Sequence, residues 1–180
     1  MARGFTLVEL LIALAVLGIS ISIAMPSMGE MVERNRVRGA VEALYSEFQF
    51  VRMEAVKRNT PLSLTFSSGT GDGSTDSWCF GLDENPGCDC TVTDVDNAAA
   101  CALMTAGENV LKTVSSESYK NISLNQTFAA DSATFNPVRG TVNAGTMTFQ
   151  SPHALSVQLQ VTVLGRIDSC SDNVLGYSGC

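Results

Sequence analysis

With 180 residues and 19.1 kDa, the chain has room for one domain, or one domain plus an appendage. Hydrophobic residues at 45%, charged residues at 16% and a mean hydropathy of +0.16 allow a buried core and exclude global disorder. Eleven Lys+Arg against 18 Asp+Glu give −7, the wrong sign for a general nucleic-acid binder, and six cysteines with one histidine favour an oxidising compartment over a histidine-based catalytic or zinc centre.

The apolar excess lies at the front. Residues 5–24 run from Phe5 to Ala24, and fifteen of the twenty are Phe, Leu, Val, Ile or Ala. A helix of ~20 residues rises ~30 Å, about the hydrocarbon thickness of a bilayer. Glu9 is the only charge inside this run and Arg3 the only charge before it, weak positive-inside evidence for a cytoplasmic N-terminus. A cleavable secretory signal would carry a small-x-small site after the apolar core, whereas this run continues into Met25-Pro26-Ser27-Met28. A carboxylate in hydrocarbon costs several kcal/mol unless paired, so Glu9 needs a partner.

Arg3-Gly4-Phe5-Thr6-Leu7-Val8-Glu9 resembles the processing site of type IV pilins and pseudopilins. The resemblance implies cleavage between Gly4 and Phe5 by a prepilin peptidase and N-methylation of Phe5. It also implies a kink at Pro26, where a ring without an N–H interrupts the helix ladder. In an assembled filament the helices share an apolar core, so Glu9 would be neutralised by the N-terminal ammonium on Phe5 of a neighbour and act as a register device.

From Ser27 to Arg58 there is no proline. Val37, Val41, Leu44, Phe48, Val51 and Ala55 recur at alternating spacings of four and three, one face of an amphipathic helix. Six Lys/Arg and five Asp/Glu between Glu30 and Arg58 occupy the other positions. Arg34-Asn35-Arg36-Val37-Arg38 reads as a solvated helix face rather than a phosphate cluster. Asn59-Thr60-Pro61 ends the helix.

Beyond Pro61 the period becomes two. Strands are predicted over 62–66 and 157–163, with weaker ones over 79–82, 110–114, 122–124, 133–135 and 146–149; residues 67–77 are predicted as loop. The fold class is therefore α+β, a long N-terminal helix packed on an antiparallel, sandwich-like head. Together with the pilin resemblance this implies a leader over 1–4, a transmembrane and filament-core segment over 5–25, an amphipathic helix over 26–60, and a periplasmic head over 61–180 with a disulfide-bonded insertion at about 79–101. Phe135-Asn-Pro-Val-Arg139-Gly140, Gly145-Thr-Met-Thr-Phe149, Gly165-Arg166, Cys170 and Trp78-Cys79-Phe80 together resemble the GspH/FimT/FimU group of minor pilins and pseudopilins.

Cys170 and Cys180 are expected to pair, closing a C-terminal loop at a gain of roughly 2.5–3 kcal/mol on the chain-entropy model. Cys79, Cys88, Cys90 and Cys101 cross-link the insertion; Cys88 and Cys90 are too close to pair with each other, so each finds Cys79 or Cys101. No Cys-x-x-Cys supports zinc. Neither Asp83, Glu84, Asn85, Asp89, Asp94 and Asp96 nor Asp72-Gly-Ser74-Thr-Asp76 completes an EF-hand. His153 is read as a surface turn residue. No cofactor, metal or catalytic set is expected.

The resemblance implies a minor type IV pilin that helps initiate pilus assembly at or near the tip. Its partners would be the prepilin peptidase, other minor and major pilins, the inner membrane and the inner-membrane assembly platform. A minor pseudopilin of type II secretion has the same helix. A third reading comes from FimT-like members that bind DNA through Gly-Arg-x-Arg. Here Gly165-Arg166-Ile167-Asp168 keeps the first Arg and puts an acid at the second. From residue 59 onward four Lys/Arg stand against twelve Asp/Glu, so Arg139 and Arg166, the candidate DNA contacts, sit in an adverse field.

Overall fold

The computed structural model describes residues 6–71, 77–105 and 107–180, the side chains of 23–27 excepted. Two compact units divide the chain, residues 1–35 and residues 36–180.

The helix α1 spans Leu7–Arg58 without a break. In the first unit its apolar side chains stand free: Leu7 is 74% exposed and Ile21 49%. Among the described residues no helix is long and apolar enough to cross a membrane. The described side chains of the apolar run end at Ser22. The expected kink at Pro26 falls within 23–27 and lies outside the described side chains.

In the second unit the predicted face is the buried one. Val37, Ala40, Val41, Leu44, Phe48, Val51 and Ala55 are all at most 3% exposed. The helix closes as a Schellman motif: Thr60 N–H donates to Ala55 O (3.3 Å), Asn59 N–H donates to Val56 O (3.3 Å), and Asn59 takes φ 53°. Pro61 follows, where no helix could continue.

The head strands in chain order are β1 (Leu62–Ser67), β2 (Cys79–Asp83), β3 (Ala102–Thr105), β4 (Glu108–Leu111), β5 (Thr113–Ser115), β6 (Ser123–Gln126), β7 (Ser132–Asn136), β8 (Thr141–Val142), β9 (Gly145–Gln150), β10 (Ser156–Val161) and β11 (Ile167–Cys170). One sheet runs β5-β2-β1-β7-β8, a second runs β11-β10-β9-β6, and β3-β4 is a separate hairpin. All strand pairs are antiparallel. Leu62, Leu64, Phe66, Phe80 and Leu82 of the first sheet and Met147, Phe149, Val157 and Leu159 of the second join the helix face in one core. Phe48 of α1 anchors it, its ring centroid 6.2 Å from Phe66, 6.4 Å from Phe128 and 5.9 Å from Phe135.

Two strand expectations need correction. The single strand expected over 110–114 is two strands in different sheets. Lys112 divides them: its N–H donates to Cys101 O (3.0 Å) while its carbonyl accepts from Leu82 N–H (2.9 Å), so the chain changes partner there. The strand expected over 157–163 stops at Val161, because Thr162 opens a turn in which Gly165 N–H donates to Thr162 O (2.8 Å). Val163 and Leu164, apolar in sequence, are 55% and 76% exposed on that turn. The strands β3, β8 and β11 lie outside the predicted runs.

Candidate functional site

The N-terminal feature begins at Thr6. Its amide and its hydroxyl both donate to Glu9 Oε2 at 3.4 Å, and Glu9 N–H donates back to Thr6 Oγ1 at 3.3 Å. This is a capping box, in which residue and partner satisfy each other's orphan groups at a helix start. The Thr-x-x-Glu signal was present in the sequence, and reading Glu9 only for its charge overlooked it. Gly4 and Phe5 lie outside the described residues.

Four arginines of the helix, Arg34, Arg36, Arg38 and Arg58, make hydrogen bonds. In the first unit Arg34 pairs with Glu30 one turn earlier at 2.5 Å. In the second, Arg36 donates to Lys120 O (3.4 Å), Arg38 donates to Leu175 O, and Arg58 donates to Met104 O (2.6 Å). Two head loops, at Lys120 and Leu175, and strand β3, at Met104, are thus tied to one helix through their carbonyls, each a charge-assisted hydrogen bond. On the face read as solvated, Arg36 and Arg38 also reach backbone carbonyls of the head, and sequence spacing cannot show which carbonyl folding brings there.

Arg58 belongs to a larger cluster. It pairs with Glu54 at 2.7 Å and with Glu84 at 3.4 Å, and Lys57 reaches Glu54 at 3.3 Å. Hydrogen bonding from Arg58, ahead of the contribution of Lys57, holds the Glu54 carboxyl below its usual range. Glu47, two turns earlier on α1, moves the other way: burial raises its pKa, partly offset by the Lys112 ammonium. Burial likewise pushes the Tyr177 hydroxyl up, in a cleft of about 500 Å³ lined by Arg38, Glu42, Tyr45 and Leu175.

The cysteines form three disulfides: Cys79–Cys90, Cys88–Cys101 and Cys170–Cys180, with Cα atoms 5.8, 5.0 and 5.0 Å apart. The crossed pair in the insertion needs Gly81. A Cβ there would lie 2.5 Å from Cys101 Cβ and 2.7 Å from its Sγ, so the disulfide sits directly on the glycine of β2. Glycine at 71 has a comparable cause: at φ +67°, its Cβ would fall 2.9 Å from Trp78 Nε1, which donates to Ile122 O. Trp78 is fully buried between Phe80 and Tyr119, both ring centroids 6.0 Å away.

The acidic run of the insertion serves its own turns. Asp83 Oδ1 accepts from Asn85 N–H (2.6 Å), Asp89 Oδ1 from Thr91 N–H (2.9 Å), and Asp94 Oδ1 from Asp96 N–H (3.2 Å). Among the described residues no group of three or more His, Cys, Asp or Glu could hold a metal ion. Asp72 and Asp76 lie outside the described residues. His153 is exposed in the turn between β9 and β10.

Arg139 and Arg166 stand on neighbouring turns, since Val142 N–H donates to Val163 O (3.0 Å). Arg166 does not present a free charge: its guanidinium contacts Asp168 Oδ1 through Nε and Nη2, each at 2.9 Å. The acid at the second position of the Gly-Arg-x-Arg-like run therefore pairs with the arginine at the first on an exposed surface.

A capped N-terminal helix whose C-terminal half packs on a two-sheet antiparallel head defines a pilin-like α+β fold. The chain belongs to the GspH family: the family model for type II transport protein GspH matches residues 40–165, and that for the prokaryotic N-terminal methylation motif matches residues 1–25. No curated protein matches it. The crystal structure of the type IV minor pilin FimU from Pseudomonas aeruginosa is similar at 16% identity and a TM-score of 0.46, over 76% of this chain and 89% of that one.

Proposed function

We propose that the chain is a minor type IV pilin, a structural subunit that helps initiate pilus assembly and sits at or near the tip. The observation that carries this reading is the joining, in one chain, of an N-terminal methylation motif over residues 1–25 to a GspH head over residues 40–165. In this reading a prepilin peptidase cuts between Gly4 and Phe5, Phe5 is N-methylated, and residues 5–25 enter the inner membrane with the head in the periplasm. The exposed apolar side chains from Leu7 to Ile21 support this, because such a surface needs either lipid or other helices around it. Three disulfides fit an oxidising compartment. The subunit then meets other minor and major pilins and the inner-membrane assembly platform. Glu9 enters the filament core, and Pro26 bends the helix above it.

The second reading is a minor pseudopilin of type II secretion, favoured by the description of the family itself. Deleting the gene in its host separates the two. Loss of surface pili with secretion intact supports the pilus role, and immunogold labelling of the complemented strain locates the subunit along the filament. Loss of secretion with pili intact supports the pseudopilin role. Binding to DNA is disfavoured by the Arg166–Asp168 pair and by a head carrying four Lys/Arg against twelve Asp/Glu from residue 59 onward.

A further inference from the structure

The two sheets of the head have four outer edges, and three of them are covered. At β8, Val142 N–H donates to Val163 O (3.0 Å). At β11, Cys170 bridges Ser178, and Ser171 N–H donates to Ser178 O (2.8 Å), so the loop closed by Cys170–Cys180 lies along that edge. At β6, Leu124 and Gly69 exchange both hydrogen bonds, at 2.9 and 3.2 Å. The fourth edge, β5, pairs only with β2 among the described residues.

The backbone alternation of β5 fixes which groups are left over. Lys112 O accepts from Leu82 N–H and Ser116 N–H donates to Trp78 O, both at 2.9 Å, so residues 112, 114 and 116 face β2. Residues 113 and 115 then direct their N–H and C=O groups away from the sheet. Exposed edges are normally blunted by shortness, Lys, Pro or a bulge; β5 is short at three residues, and Thr113 and Ser115 add neither Lys nor Pro. They line a cleft of about 700 Å³ together with Thr91, Thr93 and the Cys79–Cys90 disulfide. Among the described residues its charged lining residues are Glu117 and Lys120, one of each sign.

We infer that this cleft receives an extended, uncharged segment of a neighbouring pilin-like subunit, which adds to the sheet as a strand beside β5. Two residues of one strand, with N–H and C=O alternately presented, match another backbone better than they match any other ligand. The disulfide-linked loop that carries Thr91 and Thr93 fixes the opposite wall in advance, which lowers the ordering cost of binding. The hydroxyl lining fits small polar side chains such as Ser, Thr and Gly. This inference rests on the subunit reading above.

The test uses the full chain expressed in piliated cells, with the photo-reactive residue p-benzoylphenylalanine in place of Thr93 in one strain and of Met53, 65% exposed on α1, in another. Cross-linking at Met53 reports contact with other subunits. Cross-linking at Thr93 should attach an extended segment of another pilin-like chain, identified by mass spectrometry. Ser115→Pro and Thr113→Pro each remove an outward N–H without removing a bond to β2 and should lower the Thr93 adduct at least tenfold while leaving the Met53 adduct unchanged. A Met53 adduct without a Thr93 peptide adduct, a Thr93 adduct indifferent to both prolines, or a saccharide at Thr93 would overturn the inference alone. Absence of both adducts would overturn it together with the subunit reading.

Discussion

Thr6 and Glu9 cap each other: the carboxylate of Glu9 receives the amide and hydroxyl of Thr6, and the hydroxyl of Thr6 receives the amide of Glu9. The acid proposed to register subunits in a filament therefore has a partner within its own chain. That partner is available before assembly, when no neighbour is present to neutralise it.

The two roles of Glu9 separate by substitution. Gln still completes a Thr-x-x-Gln capping box but cannot pair with an ammonium. We expect Glu9→Gln to match Glu9→Ala, both lowering incorporation into filaments at least tenfold when pili are sheared and immunoblotted. Wild-type incorporation of Glu9→Gln would assign the residue to capping, and wild-type incorporation of Glu9→Ala would remove it from assembly altogether.

Gly81 and the Cys88–Cys101 disulfide act as one unit. Replacing both cysteines by Ser should cost about 3 kcal/mol by the loop-closure model, for a sequence separation of 13. Gly81→Ala should cost about 1–3 kcal/mol, because the new methyl meets Cys101 at under 3 Å. With the cysteines already replaced by Ser, the cost of Gly81→Ala should change by more than 0.5 kcal/mol, a coupling read by denaturant unfolding of the detergent-solubilised full chain through Trp78 fluorescence.

Acid stability should reflect two carboxylates of opposite sign on α1. Glu54 is held below its ordinary pKa of 4.5, so its contribution is present above that value and is lost as pH falls through its lower folded value. Glu47 is raised above 4.5, so its contribution is present below that value and is lost as pH rises through its higher folded value. Glu54→Gln should therefore lower Tm at pH 7 and flatten the decline below pH 4.5. Glu47→Gln should raise Tm at pH 7. Thermal melts from pH 3 to pH 8 check both, and identical profiles for the two variants would contradict the assignment.

Asp168 should be what silences Arg166. Fluorescence anisotropy of the full chain against duplex DNA at 50 and 200 mM salt is expected to show no binding for the wild type. Asp168→Ala should introduce weak, salt-sensitive binding that a further Arg166→Ala abolishes. Wild-type binding that falls with salt and with Arg166→Ala would restore the DNA reading.

How much was legible before folding follows the range of each interaction. The helix from Leu7 to Arg58 and its buried face from Val37 to Ala55 depend on contacts within four residues, so their spacing discloses them. The same holds for the Asn59-Thr60-Pro61 stop. Strands β1 and β10 followed from alternation, except where a turn claimed Thr162 and Val163, and β7 and β9 contain weaker predicted runs. Thr6–Glu9 was written in the sequence as well, as a spacing of three.

Other features became definite only in three dimensions. Lys112 divides one apolar-looking run because Cys101 and Leu82 arrive on either side of it. The sequence narrowed the partners of Cys88 and Cys90 to Cys79 and Cys101, and folding over Gly81 selected the crossed arrangement. Arg36, Arg38 and Arg58 read as charges along a helix until the loops at Lys120 and Leu175 and the strand β3 at Met104 present their carbonyls. The sequence by itself determined the local periodicities and the N-terminal motif, because neighbours along the chain enforce them. Tertiary structure decided which carbonyls Arg36, Arg38 and Arg58 met and which of Cys79 and Cys101 paired with Cys88 and with Cys90, because the arginine contacts join groups 84, 137 and 46 residues apart and the choice within the insertion depends on how its loop folds over β2.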